Sequence, residues 1–451
     1  MAGLMQGLEI ARRALLAHQS AITVTGHNVA NVSTPGFTRR RAILETEYPE
    51  RGPEGVLGSG VRFSGVVRHR DAFIDDQIRT ELNLAGRWEA RAGGLSRLEA
   101  ILNEPSDHGL QTIMNAFWDS WADLSNEPED FTARSVVVER GVALGEAFVR
   151  QDQRLSEIVD ASERELVELV ARINRSLGEV AQINVAVSGQ DTVQGATADF
   201  EDQRDRLLDE LAREAGARHM VLDDGSVVVR LGGRTVVQGS EVQELDTDIR
   251  LLGGQVRGQV VFASDRNTVE GLTGRVGGLV EVREEIVPAF RQQLTSLARA
   301  IRERVNERYS AGPDREPFFR GVEGNELQVD AALIADPSRV AAGSSGDSGD
   351  NDIALSIAGL REARVMAGRA ASFSQFYGST ISGVGLLASQ ARDIAEAESA
   401  ALETLEGQRQ ATIGVNLDEE LSRLLTSQRA YQAAARLFTT IDQMYQTLLA
   451  V

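Results

Sequence analysis

HNVANVSTPGFTRRR (27–41) ends one kind of structure and begins another. A helical apolar stripe runs into it and stops at Thr34-Pro35-Gly36. Pro35 drives Thr34 toward extended geometry because its ring crowds the preceding backbone. Pro35-Gly36 suits the two central positions of a type II turn, the second of which needs positive φ. Asn28 and Asn31 can satisfy backbone groups near the helix end. No obvious catalytic group lies in the stretch, so the reading is geometric: a helix is handed to an extended segment through a fixed turn.

On the N-terminal side, Leu8, Leu15, Ile22 and Val29 recur every seventh residue, with Leu4 and Ala11 on flanking positions. This is a narrow coiled-coil seam. His18 and Thr25 interrupt it, and Gly26 weakens the helix by about 1 kcal/mol relative to Ala. At the far end, Leu417, Leu424, Tyr431, Phe438 and Tyr445 also fall every seventh residue. Leu421, Ala435 and Leu449 form a second seam, broken by Gln428 and Asp442, and Leu437, Ile441, Met444 and Leu448 lie beside it. That face is wider than one partner helix covers. Asn416 is the expected N-cap, with Glu419 at N3 and acids from Asp418 to Glu420 at the positive helix end. At 1.5 Å per residue the two helices span about 42 and 50 Å, matched in length and natural partners.

Between them, GSGVRFSGVVRHRDAFIDDQIR (58–79) predicts a strand, then a helix capped near Asp71. Helical patterning continues to about residue 215, interrupted near Pro105 and at NEPED (126–130). After Ala217 the period changes: Asp224-Gly225 and Gly232-Gly233 separate β-branched runs, both strong hairpin signals. A helix resumes from about 272 to 309. Irregular chain follows, including GSSGDSGDND (343–352), then a helical segment from about 372 to 411.

The predicted fold is mainly α with a smaller β-containing portion, an elongated multidomain chain whose terminal helices pair as a coiled coil. The 451 residues suggest roughly three domains. Residues 1–35 with 412–451 form the inner terminal domain. Residues 36–216 with 272–411 form the helical middle domain, part of 310–350 being irregular or outer. Residues 217–271 form an outer antiparallel β domain.

Composition excludes several functions. The net charge of −20 and pI near 4.8 argue against a nucleic-acid partner and against anionic membrane. No run reaches the roughly 18 apolar residues of a membrane helix, and no signal-peptide pattern is present. There is no cysteine, so disulfides, thiolate metal sites and cysteine nucleophiles are out. His18, His27, His69, His108 and His219 have no metal-ligand spacing, and no HExxH, GxSxG or phosphate-binding loop occurs. Asp347, Asp350 and Asp352 lack the glycine and distal glutamate of a calcium loop and read as solvated. The expectation is no catalytic residue, no metal and no cofactor. Arg39-Arg40-Arg41 suits either an acidic partner or a strand with local ion pairs.

GHNVANVSTPGFTRR resembles the N-terminal signature of the bacterial flagellar axial proteins, which build rod, hook and hook–filament junction. SQRAYQAAARLFTTIDQMYQTLL (427–449) resembles their C-terminal signature. GVNLDEELSRLL (414–425) is more similar to the hook-associated branch than to hook or rod subunits, and interior stretches such as DFEDQRDRLLDELA agree. The resemblance implies a non-enzymatic, secreted, extracellular subunit that polymerises at the hook tip and joins hook to filament. It implies assembly roles for the motif residues Asn28, Asn31, Thr34, Pro35, Gly36 and Phe37 and for the seam residues Leu8, Leu15, Ile22, Val29, Leu417, Leu421, Leu424, Tyr431, Phe438 and Tyr445. The implied partners are further copies of itself, the hook protein, the second hook-associated junction protein, an export chaperone and the type III export apparatus. Two alternatives stay open: a hook or rod subunit of the same family, and a coiled-coil adhesin or binding protein.

Overall fold

A computed structural model of the protein describes residues 2–52, 55–102, 106, 109–189, 197–252, 255–310, 316–322 and 324–449. His108 and Pro105 lie outside them.

The first helix, α1 (Ala2–Ala30), runs into the Thr34–Phe37 turn and then into β1 (Arg40–Thr46). After the small β2 (Glu50–Gly52) and β3 (Gly55–Leu57) pair, β4 (Val61–Arg68) returns antiparallel to β1, with a bulge between Ile43 and Leu44. This ribbon lies on α1, so residues 40–68 pack with the terminal helix, whereas the expected boundary at residue 36 separates them from it.

Next come α2 (Ala72–Leu102), α3 (Leu110–Asn126), α4 (Phe131–Ser188) and α5 (Ala198–Ala215). Asp71 accepts from the amides of Phe73 and Ile74 at the start of α2, the cap the sequence predicts. Asp130 does the same for α4 through Thr132 and Ala133. At 58 residues, α4 is about 87 Å long. It carries two successive cores.

The first half of α4 meets α3, α7 (Val287–Tyr309) and β12 (Asn325–Val329), and β11 (Phe319–Val322), α8 (Ala331–Ala335) and α9 (Asp352–Ala358) complete the same core. Here Phe117, Trp118, Trp121, Tyr309, Phe318, Phe319 and Phe373 form one aromatic cluster with edge and stacked contacts at 4.8–6.4 Å. Part of the segment expected to be irregular, 316–342, thus supplies core, including Phe318, Leu327, Val329 and Leu333. Its elements are too short to show a period, and their burial comes from tertiary contact.

The second half of α4 packs with α5 and with the sheet β5 (Arg218–Val221), β6 (Val227–Leu231), β7 (Arg234–Gln238) and β8 (Glu241–Val242), then β9 (Leu245–Leu252) and β10 (Gln255–Phe262) and α6 (Gly274–Glu281). Both glycines of Gly232-Gly233 have positive φ, 53° and 78°, as a tight hairpin needs. Two asparagines of α4 fasten the β portion. Asn184 exchanges hydrogen bonds with the backbone of Val227, and Asn174 with that of Leu245. The sheet therefore sits on the same core as α5.

Helix α6 runs through a π-helical turn, Val282–Ile286, into α7. That turn delivers Arg283 to Glu163 in a buried pair between the two cores. Helix α10 (Phe373–Ile413), started by a Ser372–Gln375 capping box, lies along α2. The last helix, α11 (Leu417–Leu449), returns to α1. Among the described residues no helix is long and apolar enough to cross a membrane.

Candidate functional site: the terminal helix pair and its junction

A Cβ on Gly7 would lie 3.0 Å from the Ile441 side chain, while Asn28 bonds Glu420. The start of α1 thus meets the end of α11, and the pair is antiparallel. Its tightest contacts come from small residues. Ala11, Ala17, Ala21, Thr25 and Asn28 are the buried positions of α1. On α11 the buried positions are Glu420, Ala434 and Ile441. The expected seam lies beside this row: Leu8, Leu15, Ile22 and Val29 are half-buried, as are Leu424, Phe438 and Tyr445. Leu417, Leu421 and Tyr431 are exposed, together with Leu425, Leu437, Met444 and Leu448. Close approach through glycine and alanine moves the contact off the large residues, leaving an apolar face of α11 open in the single chain.

The turn after α1 is locked from both sides. Phe37 N–H donates to the Thr34 carbonyl at 3.2 Å, and Gly36 has φ +75°, the geometry of a type II turn. Asn31 holds the helix end, donating to the His27 carbonyl and accepting from the Thr34 hydroxyl. Phe37 packs on His27, with the Arg40 guanidinium 5.0 Å from its ring. A Cβ on Gly36 would collide with Arg206, whose guanidinium donates to the Pro35 carbonyl at 3.2 Å. Only glycine fits there, for conformation and for space.

Asn28 is the hub, fully buried. Its amide donates to the Arg40 carbonyl at 2.7 Å and to Glu420 at 2.8 Å, and its oxygen accepts from Arg40 N–H at 3.0 Å. Glu420, 1% exposed, also accepts from Arg39 at 2.8 Å. One carboxylate therefore ties α11 to α1 and to the chain entering β1. Burial works against the charge of Arg39, but its bonds to Glu419 and Glu420 outweigh that and raise its pKa. The same hydrogen bond holds Glu419 below the usual carboxylate value. The Asn416 side chain accepts from Asp418 N–H at 3.0 Å, as expected of the N-cap.

Helix α5 closes the other side. Thr38 and Arg40 pair with Asp202, and Arg40 also with Asp199. Arg68 reaches Glu201 at 2.7 Å, Asp202 at 2.8 Å and Asp205 at 2.6 Å. Arg70 pairs with Asp75 and Asp205, and Arg79 reaches Asp209 at 2.8 Å. The Arg40 bond lowers the Asp199 pKa. Burial alone would raise Glu201, but hydrogen bonds from Arg68 and Thr197 outweigh it and lower its pKa. Burial brings Arg204, which donates to the Gly225 carbonyl at 2.6 Å, down to about 10. Burial, reinforced by the Arg79 charge, lowers His219 to about 4. Every cationic side chain here is arginine; the chain contains no lysine. The planar guanidinium fork suits such multidentate networks. Periodicity gives no warning of this weld, although the clustered acids of DFEDQRDRLLDELA hint at it.

Among the described residues no group of three or more His, Cys, Asp or Glu could hold a metal ion. Asp350 and Asp352 bond Ser345 and Ser344 within their own exposed loop.

First and last helices closing one end of a two-core helical body define a class: mainly α, multidomain chains whose termini meet in a single unit. The chain belongs to the family described as flagellar hook-associated protein FlgK helical domain, which matches residues 95–327. The flagellar basal body rod FlgEFG protein C-terminal family matches 408–451, and the flagella basal body rod protein family matches 8–38. The chain is 29% identical to flagellar hook-associated protein 1 of Bacillus subtilis, covering 100% of this chain and 98% of that one. It is 25% identical to flagellar hook-associated protein 1 of Escherichia coli, over 97% and 98%. Its fold is similar to that of the flagellar hook junction protein FlgK from Burkholderia pseudomallei, with TM-score 0.63 and 14% identity, covering 74% of this chain and 99% of that one.

Proposed function

We propose that the protein is a structural subunit of the bacterial flagellum that polymerises at the hook tip and joins hook to filament. One observation carries the reading: in a chain of the hook-associated family, α11 leaves Leu417, Leu421, Leu425, Leu437, Met444 and Leu448 uncovered along one helix. An exposed apolar run of that length marks an interaction surface. Further copies of the chain cover it, with the hook protein below and the second hook-associated junction protein above. Before assembly, an export chaperone covers α11 and the type III export apparatus delivers the chain to the cell exterior.

The motif residues act by fixing direction. Asn28, Asn31, Thr34, Pro35, Gly36 and Phe37 set the angle at which α1 leaves the body, and α5 holds it. The chain is organised in three parts: the terminal unit, the helical middle with its two cores, and the β portion. Its role is mechanical rather than catalytic.

The test is the position of the labelled full chain in intact flagella. A single band between hook and filament is the expected result. Label spread along the hook, or confined to the rod, overturns the reading in favour of another axial subunit. Secretion that persists without the flagellar export machinery points instead to an adhesin. Polar replacement of Leu424, Tyr431 and Phe438 is expected to block incorporation while circular dichroism of the body stays unchanged.

A further inference from the structure

Three consecutive arginines on the strand entering β1 have different fates. Arg39 is neutralised by Glu419 and Glu420, and Arg40 by Asp199 and Asp202. Arg41 is exposed and has no ionic partner among the described residues. Side chains two apart on a strand share a face, so Arg41 follows Arg39 along α11, past the last acid of the first turn. The next acid on α11 is Asp442. What Arg41 meets instead is a cavity of about 270 Å³ lined by Arg41, Leu44, Ser422, Arg423, Thr426 and Ser427, among others. Arg423 lies 3.8 Å from Glu420, a carboxylate already engaged by Arg39 and Asn28, and its charge also acts on Glu419. Glu420 also lines the cavity, but its carboxylate is taken by Asn28 and Arg39, so the cavity presents the free Arg41 guanidinium, that of Arg423 and hydroxyls in a chain whose net charge is −20.

The complementary surface lies on α10. Between Arg392 and Arg409 that helix carries Asp393, Glu396, Glu398, Glu403 and Glu406 and no basic residue. Its flanking arginines turn elsewhere, Arg392 to Glu99 and Arg409 to Asp75 and Asp209. Asp393, Glu396, Glu403 and Glu406 are exposed and in no ion pair among the described residues. The Glu398 carboxyl is raised by burial and by its hydrogen bond with Glu81, a sign of crowded negative charge. Basic cavity and acidic face coexist on one molecule without being joined.

We infer that the Arg41–Arg423 cavity receives the acidic face of α10 from a second copy of this chain. Two different patches then meet between neighbours, the head-to-tail arrangement that generates rings or helices rather than closed two-fold dimers. Opposite charge at such a rim fixes register and raises the association rate, and salt weakens it. The inference rests on the reading of the chain as a polymerising subunit.

The experiment is a charge swap in the full chain, read as incorporation into flagella and as self-association of purified protein. Arg41→Glu with Arg423→Gln is expected to lower self-association at least tenfold, with the melting temperature little changed because both side chains are solvated and no new carboxylate is set against Glu420. Glu396→Arg with Glu403→Arg is expected to do the same. Mixing the two variants is expected to restore association, since each supplies the patch the other lost. Wild-type behaviour of the arginine variant overturns the inference. Loss in both variants without recovery on mixing overturns the named occupant, and hence the inference. If the unaltered chain itself fails to enter the junction, the functional reading falls instead.

Discussion

The aromatic core around Trp121 and the terminal pair around Ala21 are both helix-on-helix contacts, yet they are built on opposite principles. The first encloses its largest side chains; Phe117, Trp118, Trp121, Phe318 and Phe373 are all at most 1% exposed. The second buries alanine and a polar hub and leaves leucines outside. Dispersion and area removed from water make the first self-sufficient. The second is held in place by hydrogen bonds and ion pairs, and its apolar area remains available. A body that must be stable alone and an end that must bind neighbours need different chemistry.

The comparison can be broken most severely in the aromatic core. Trp121→Ala is expected to destabilise the body by about 3–5 kcal/mol, read from chemical denaturation. A smaller loss would mean that the cluster is less integral than its burial indicates. Glu420→Ala should come next, at about 3 kcal/mol, because it strands the Asn28 amide and removes a partner from Arg39. That loss is expected in hydrogen exchange of α1 and α11 and not in the amides of α3, so equal effects on both would erase the distinction drawn between them.

Acid sharpens the contrast further. His219 has a folded pKa near 4 against an ordinary 6.5. Between those values the unfolded chain binds a proton that the folded chain refuses. Its stabilising contribution is therefore complete above pH 6.5 and is lost as pH falls toward 4. The loss is about 1–2 kcal/mol after allowance for partial exposure, and His219→Gln should flatten it. Asp199 and Glu201, lowered below 3.8 and 4.5, lose their contribution only at still lower pH. The smallest effect belongs to Leu425→Ser, expected within about 0.5 kcal/mol of wild-type stability while self-association falls.

Much of the architecture was legible because it rests on local signals. The Pro35-Gly36 turn, the Asp71 and Asn416 caps, the glycine hairpins and the pairing of the chain ends each follow from a short pattern. The exact contact row of α1 was not legible, since a heptad of large residues outranks Ala17 and Ala21 in any hydrophobic pattern. Nor was the α5 weld, because ion pairs between Arg68 and Asp205 join positions with no common period. Phe318 and Phe319 were hidden for a related reason: their core is assembled from pieces too short to announce themselves. Arg39-Arg40-Arg41 could be read two ways, and the structure divides it, with two arginines internally paired and one left over.

Asn28 and Glu420 are 392 residues apart. Closing a flexible loop of that size costs about 5 kcal/mol beyond a constant. The cost falls once α2 and α10 have packed together, for only residues 31–71 and 414–416 then separate the last pair from contact. The order of events follows: the body completes itself first, and the ends zip together last. Since α1 is made long before α11, it waits for its partner, and the molecule passes through a state with a finished body and two loose ends.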